Sequence, residues 1–183
     1  MRVITGIAKG RRLRSLKGME TRPTLDRIKE SLFNIIGSLL PGTNFLDLFA
    51  GTGAIGIEAI SRGANKAVFV EKNHRAVRVI KENLELTGLA DRAEIYCSDV
   101  DRALETIAEG KQKFDIIFLD PPYKKDRAAA ALKKLNEIKV STQGGLVIVE
   151  SGRTDVLPRE EGIFRLIRQE KYGDTVLSFY RES

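Results

Sequence analysis

The chain has 183 residues, of which 42% are hydrophobic and 31% charged, and its formal net charge is +6. That is enough chain for one α/β domain with a full core, and no apolar run approaches the roughly 20 residues of a membrane-spanning helix. The single cysteine, Cys97, excludes an intrachain disulfide, and one histidine (His74) with one cysteine does not make a zinc site, so no metal is expected.

The excess charge lies at the start of the chain. Residues 1–27 hold eight basic side chains (Arg2, Lys9, Arg11, Arg12, Arg14, Lys17, Arg22 and Arg27) against Glu20 and Asp26, and the rest of the sequence is balanced. Glycines and apolar residues alternate with the charges in Lys9-Gly10-Arg11-Arg12-Leu13-Arg14. That pattern suits a phosphate-binding hairpin better than a solubilising tail. Arg2–Thr5 and Arg12–Leu16 are expected to pair around Gly6–Gly10. Met1–Gly10 lacks an apolar signal core, so a cytoplasmic protein is expected.

A helix should open at Thr24, after Pro23 and with Asp26 in its first turn. Its apolar face is Leu25, Ile28, Leu32, Ile35, Ile36 and Leu39, and Pro41-Gly42 ends it. From Asn44 strands and helices alternate. Strands are expected at Phe45–Phe49, Ala67–Glu71, Glu94–Ser98, Ile116–Leu119 and Leu146–Glu150, and helices near 54–62, 74–87, 101–109 and 126–138. Near-continuous apolar strands imply a parallel sheet covered on both faces. Phe164–Glu170 and Thr175–Arg181, joined by Lys171–Asp174, read instead as an antiparallel hairpin. The expected fold is therefore α/β, doubly wound and mostly parallel, with an antiparallel C-terminal edge hairpin. A basic extension over residues 1–23 precedes a single domain over 24–183. Cys97 is expected in the core of its strand, and His74 at the solvated start of a helix.

Two motifs carry chemistry. In Phe45-Leu46-Asp47-Leu48-Phe49-Ala50-Gly51-Thr52-Gly53-Ala54-Ile55-Gly56, a strand, a glycine turn and a helix start follow one another, and Glu71 ends the next strand. The bare spacing fits a dinucleotide site. However, Asp47 would repel a pyrophosphate and suits the amino group of an amino-acid-bearing cofactor. S-adenosylmethionine meets that requirement. Asp47 would meet its methionine end, Gly51 and Gly53 would let the backbone approach, Glu71 would bind the ribose hydroxyls and Asp99 the adenine amine. The alternative role for Asp47 and Asp99 is helix capping. The second motif is Asp120-Pro121-Pro122-Tyr123, after the apolar run Phe114–Leu119. The Asp120 carboxylate and the Pro121 carbonyl can accept both hydrogens of an exocyclic amine while Tyr123 stacks on the base. The two prolines fix φ and hold the acceptors in place.

Together these residues resemble class I amino-methyltransferases that act on nucleic-acid bases, with a Rossmann-like sheet. Gly6-Ile-Ala-Lys-Gly-Arg-Arg-Leu13, Arg22-Pro-Thr-Leu-Asp-Arg-Ile-Lys-Glu-Ser-Leu-Phe-Asn34 and Tyr172-Gly-Asp-Thr-Val-Leu-Ser-Phe-Tyr180 are similar to the RsmD family of bacterial 16S ribosomal RNA guanine-N2 methyltransferases. The resemblance implies a catalytic Asp120, Pro121, Pro122 and Tyr123. It implies a cofactor site of Asp47, Phe49, Ala50, Gly51, Gly53, Glu71, Lys72, Asp99, Val100 and Thr24. It implies RNA contacts at Lys9, Arg11, Arg12, Arg14, Arg22 and Arg27, with Thr24 and Arg27 alternatively bordering the cofactor pocket. The implied partner is 16S rRNA, either naked or within a partly assembled small subunit, for a monomeric enzyme. Lys124, Lys125 and Arg127 form a further candidate phosphate grip. Three rival readings are a DNA adenine-N6 methyltransferase, a non-catalytic ribosome-assembly protein and a nicotinamide oxidoreductase.

Overall fold

The computed structural model describes residues 1–16, 23–122 and 127–183; the side chains of 23–25 are not among those described. Tyr123, Lys124, Lys125, Lys17 and Arg22 therefore lie outside the described residues, as do the side chains of Thr24 and Leu25. The chain folds as two compact units, Met1–Ser98 and Asp99–Ser183.

The first unit contains the helix α1 (Pro23–Ile36), then β1 (Asn44–Leu48), α2 (Ala54–Ser61), β2 (Lys66–Val70), α3 (His74–Thr87) and β3 (Ala93–Tyr96). Its strands lie in the order β3-β2-β1 and are all parallel, with Asn44 opposite Lys66 and Ala67 opposite Ala93. Every residue of Phe45–Leu48 and Ala67–Val70 is buried, as an apolar strand covered on both faces requires. The N-terminal arm belongs to this unit. It turns back on itself through the Arg2–Arg12 bridge and the bond from the Val3 N–H to the Arg11 carbonyl (3.0 Å), and it buries Val3, Ala8 and Leu13.

The second unit contains α4 (Val100–Glu109), β4 (Phe114–Leu119), α5 (Arg127–Ile138), β5 (Ser141–Gly152), β6 (Glu160–Glu161), β7 (Phe164–Tyr172) and β8 (Thr175–Glu182). The strand order is β4-β5-β8-β7-β6, in which β4 and β5 are parallel and the rest antiparallel. The α/β class and the parallel-to-antiparallel change expected from the sequence are both present.

Three local expectations are corrected. The α1 helix stops at Ile36 and a 3-10 turn, Gly37–Leu39, follows. The tighter winding rotates the side chains out of phase, so Leu39 is exposed and Leu40 takes the buried position. Strand β3 ends at Tyr96, two residues before the expected Ser98. Cys97 thus falls past the end of the outermost strand and is exposed, not a core residue, and its Sγ lies 3.1 Å from His74 Nδ1. His74 itself is exposed and opens α3, as expected. Finally, the closing hairpin is tighter than expected: strands β7 and β8 run on to Tyr172 and from Thr175, which leaves only Gly173-Asp174 as the turn.

Candidate active site

In the first unit the glycine turn joins β1 to α2. Helix α2 begins at Ala54 behind Gly53, which offers no side-chain cap. The missing acceptor comes from the strand: Asp47, 2% exposed, accepts the Gly56 N–H through Oδ2 at 2.9 Å. A carboxylate at this place satisfies an orphan amide and complements the positive end of the helix. Gly56 has no room for a side chain, because a Cβ there would lie 2.3 Å from Phe69 Cε1 of β2. The absence of a side chain is what lets α2 sit on the sheet. At Gly51, by contrast, a Cβ would meet nothing within 4 Å. Space therefore remains outside the turn for a ligand to approach its backbone. Phe49 reaches that turn with φ 66°, an uncommon conformation for a bulky residue, and such outliers gather at functional sites. The Ala50 N–H bonds to the Val70 carbonyl at 3.0 Å, tying the turn to the end of β2.

Glu71 follows directly on β2. Its Oε2 accepts the Gly51 N–H at 2.9 Å and its Oε1 the Asn73 N–H at 2.8 Å. Each carboxylate oxygen has a second lone pair, so Glu71 can still accept from a diol. Lys72 beside it is exposed. The donor set fits the ends of S-adenosylmethionine that the sequence assigns to it: a carboxylate near β1, open backbone at Gly51 and a part-exposed carboxylate at Glu71.

The N-terminal arm is held against α2 by buried charge. Glu58, fully buried, accepts the Ile4 and Thr5 N–H groups at 2.8 and 3.0 Å and pairs with Arg62 at 2.8 Å. Lys29, 2% exposed, sits 3.6 Å from Glu58 and donates to the Arg2 carbonyl at 2.6 Å. Burial pulls the Lys29 ammonium below its ordinary pKa, against the attraction of Glu58. Arg14 is anchored through its backbone. Its N–H donates to Asn83 Oδ1 at 2.7 Å, while Asn83 Nδ2 donates to the Arg14 carbonyl at 3.1 Å and to the Thr52 carbonyl of the glycine turn at 2.9 Å. Lys9, Arg11, Arg12 and Arg27 are exposed and form no ion pair among the described residues. Arg14 differs, for its guanidinium pairs with Glu82 at 2.7 Å.

In the second unit, Asp99 caps α4 by accepting the Arg102 N–H at 3.0 Å, and Val100 is the first residue of that helix. Asp47 and Asp99 thus both make the helix-capping bonds weighed for them as the alternative to cofactor contact. Asp120 follows the last residue of β4, with Pro121 buried and Pro122 exposed behind it. Burial pushes the Asp120 carboxyl up to a pKa of about 6. One further buried carboxyl was not singled out in the sequence. Glu150 on β5 is 6% exposed, and burial together with the Asp120 charge pushes it up to about 8.

A family model described as Conserved hypothetical protein 95 matches residues 1–181. The chain belongs to this family, the RsmD family. Among RsmD relatives, the Bacillus subtilis protein YlbH, provisionally named an rRNA methyltransferase, is 41% identical over 100% of this chain and 99% of its own. The Escherichia coli protein named ribosomal RNA small subunit methyltransferase D is 30% identical over 99% of this chain and 89% of its own. A solved structure from Thermus thermophilus, described as a hypothetical protein, superposes with a TM-score of 0.84 at 33% identity, over 98% of each chain. An E. coli structure described as a methyltransferase, yhhF, gives a TM-score of 0.87 at 29% identity, over 100% of this chain and 98% of that one.

Proposed function

We propose that this chain transfers the methyl group of S-adenosylmethionine to the exocyclic N2 amine of a guanine in small-subunit (16S) ribosomal RNA. The observation that carries this reading is Asp120: a largely desolvated carboxyl at the carboxyl end of a parallel strand, followed by two prolines. The names of the RsmD relatives supply the ribosomal substrate.

S-adenosylmethionine, when bound, supplies an electrophilic methyl group on a sulfonium. The residues that would hold it are Asp47, Phe49, Ala50, Gly51, Gly53, Glu71, Lys72, Asp99 and Val100, with Thr24 at the border. The guanine amine is a weak nucleophile because its lone pair is delocalised into the ring. Asp120 and the Pro121 carbonyl accept its two hydrogens, favour a pyramidal nitrogen and free that lone pair. Pro122 stiffens the turn, and Tyr123 stacks on the base. Holding two reactants in line can supply about 7–11 kcal/mol of the barrier reduction. The base must leave its stack to reach Asp120, which is easiest in a loop of the rRNA. Lys9, Arg11, Arg12, Arg14, Arg22 and Arg27 grip the phosphates. The substrate is small-subunit rRNA, naked or in a partly assembled subunit, met in the cytoplasm by a monomeric enzyme. No helix among the described residues is long and apolar enough to cross a membrane.

The test offers labelled S-adenosylmethionine with small-subunit rRNA, assembling subunits and duplex DNA, and digests each acceptor. N2-methylguanosine in rRNA or subunits is the expected product. N6-methyladenine in DNA would keep the Asp120 chemistry and overturn the ribosomal substrate. Asp120→Ala should lower kcat by at least about 100-fold while leaving S-adenosylhomocysteine affinity unchanged; lost affinity would move Asp120 into the cofactor site.

A further inference from the structure

Glu150 stands apart from the other buried charges of this protein. Glu58 and Lys29 have each other; the Glu150 carboxyl makes no hydrogen bond and no ion pair with any described residue, although Glu150 is 6% exposed. Its place in the sheet explains what it meets. In the parallel β4–β5 ladder Leu119 lies opposite Val149, so one residue further along stand Asp120, just past the end of β4, and Glu150 of β5. On the other side β8 offers only the apolar Leu177 opposite Glu150. The charged groups of β8, Arg181 and Glu182, lie at the far end of that ladder, where Arg181 faces Leu146. From α5, Arg127 and Lys133 pair with neither carboxyl, and Lys134 is taken by Glu105 at 3.0 Å. Among the described residues, the charged group that acts on Glu150 is therefore Asp120.

Two carboxyls in such a place, with no cation paired to either among the described residues, do not both ionise at neutral pH. We propose that Asp120 and Glu150 form one carboxyl unit that carries a single proton at neutral pH, held on Glu150, leaving Asp120 alone as the ionised carboxylate that accepts from the amine. This rests on the proposed methyl transfer. When the nitrogen gains its methyl group, the methyl–sulfur bond breaks with its electron pair left on a neutral thioether, and the nitrogen carries a positive charge and a surplus proton. That proton passes to Asp120. The unit goes from one proton and one negative charge to two protons and none, and Asp120, the weaker proton holder of the two, then returns its proton to water. Glu150 acts through Asp120 and is a positioning residue: it keeps the second negative charge out of the pocket. Burial raises both carboxyls and the Asp120 charge raises Glu150 further, which agrees with this division.

The first readout needs no substrate. Carboxyl carbon-13 NMR of the full chain should show one carboxyl titrating near pH 8. Glu150→Gln should remove that signal. Asp120→Asn should move it to lower pH, because a neighbouring negative charge is gone. A spectrum with no carboxyl titrating above neutrality, or a signal that ignores Asp120→Asn, overturns the proposal. The second readout is the pH profile of kcat/KM. Glu150→Gln, a neutral isostere, should stay within about three-fold of wild type at neutral pH. Above about pH 8 the wild type should decline, as a base entering the pocket displaces the water that screens two charges, and the variant should not. A uniform loss in Glu150→Gln at every pH would mean that the residue serves only packing, and would overturn the proposal. If the NMR titrations hold while no RNA is methylated, the carboxyl unit stands and the proposed reaction fails.

Discussion

At the scale of single residues, Glu150 also leaves a mark on stability. Its folded-state pKa of about 8 lies above the ordinary 4.5, so the folded chain retains a proton that the unfolded chain releases. The resulting stabilisation is complete below pH 4.5 and is lost as the pH rises through about 8. Glu150→Gln cannot ionise, so its melting temperature should gain on the wild type as the pH is raised through that window. A difference that does not change with pH would mean that Glu150 ionises in the fold without penalty. Asp120 was legible in the sequence because the Pro-Pro step after an apolar strand marks it. Glu150 was not. It reads there as the last residue of a strand, and its partner is known only once β4 and β5 are paired. Cys97 failed for a related reason: a strand-like run does not show where the outermost strand will end.

At the scale of elements, the glycine turn was largely legible, and its three glycines play separate parts. The third one packs. Gly56→Ala would push a methyl into the Phe69 ring, at 2.3 Å from Cε1. It should destabilise the fold by about 1–3 kcal/mol in denaturant unfolding; an unchanged midpoint would mean that Phe69 swings away freely. Helix α2 was less legible. Its one acidic residue, Glu58, lies in an apolar stretch, Ala54–Ser61, and nothing local shows that the arm will cover it. The bonds from Ile4 and Thr5 reach across more than fifty residues of sequence. Glu58→Ala would strand Lys29 without its counter-charge, and loss of one partner of a buried pair costs about 3–5 kcal/mol. Thermal unfolding should show this, together with earlier proteolysis within residues 1–16. A variant that melts like the wild type would mean that Lys29 sheds its proton at little cost.

At the scale of the whole molecule, the sequence separated two kinds of information well. Alternating strands and helices pointed to the parallel part, and the late hairpin pointed to the antiparallel closing strands. Charge asymmetry pointed to the arm, though not to how firmly it is fixed. Residues 1–16 of the arm pack as part of the first unit, with Arg11 and Arg12 exposed on them and free of ion pairs among the described residues. Replacing both by alanine should weaken rRNA binding and reduce the slope of log K against log salt by about 1–2. An unchanged slope would show that these side chains touch no phosphate.

Asn83 joins two parts of the sequence that would otherwise be free to diverge. Its amide donates to Arg14 and to Thr52 and accepts from Arg14, so three bonds depend on one side chain. Aspartate lacks both donors, and leucine of similar size lacks all three groups. Through this buried residue the basic arm and the glycine turn share one fastening, so a change at Asn83 loosens both at once.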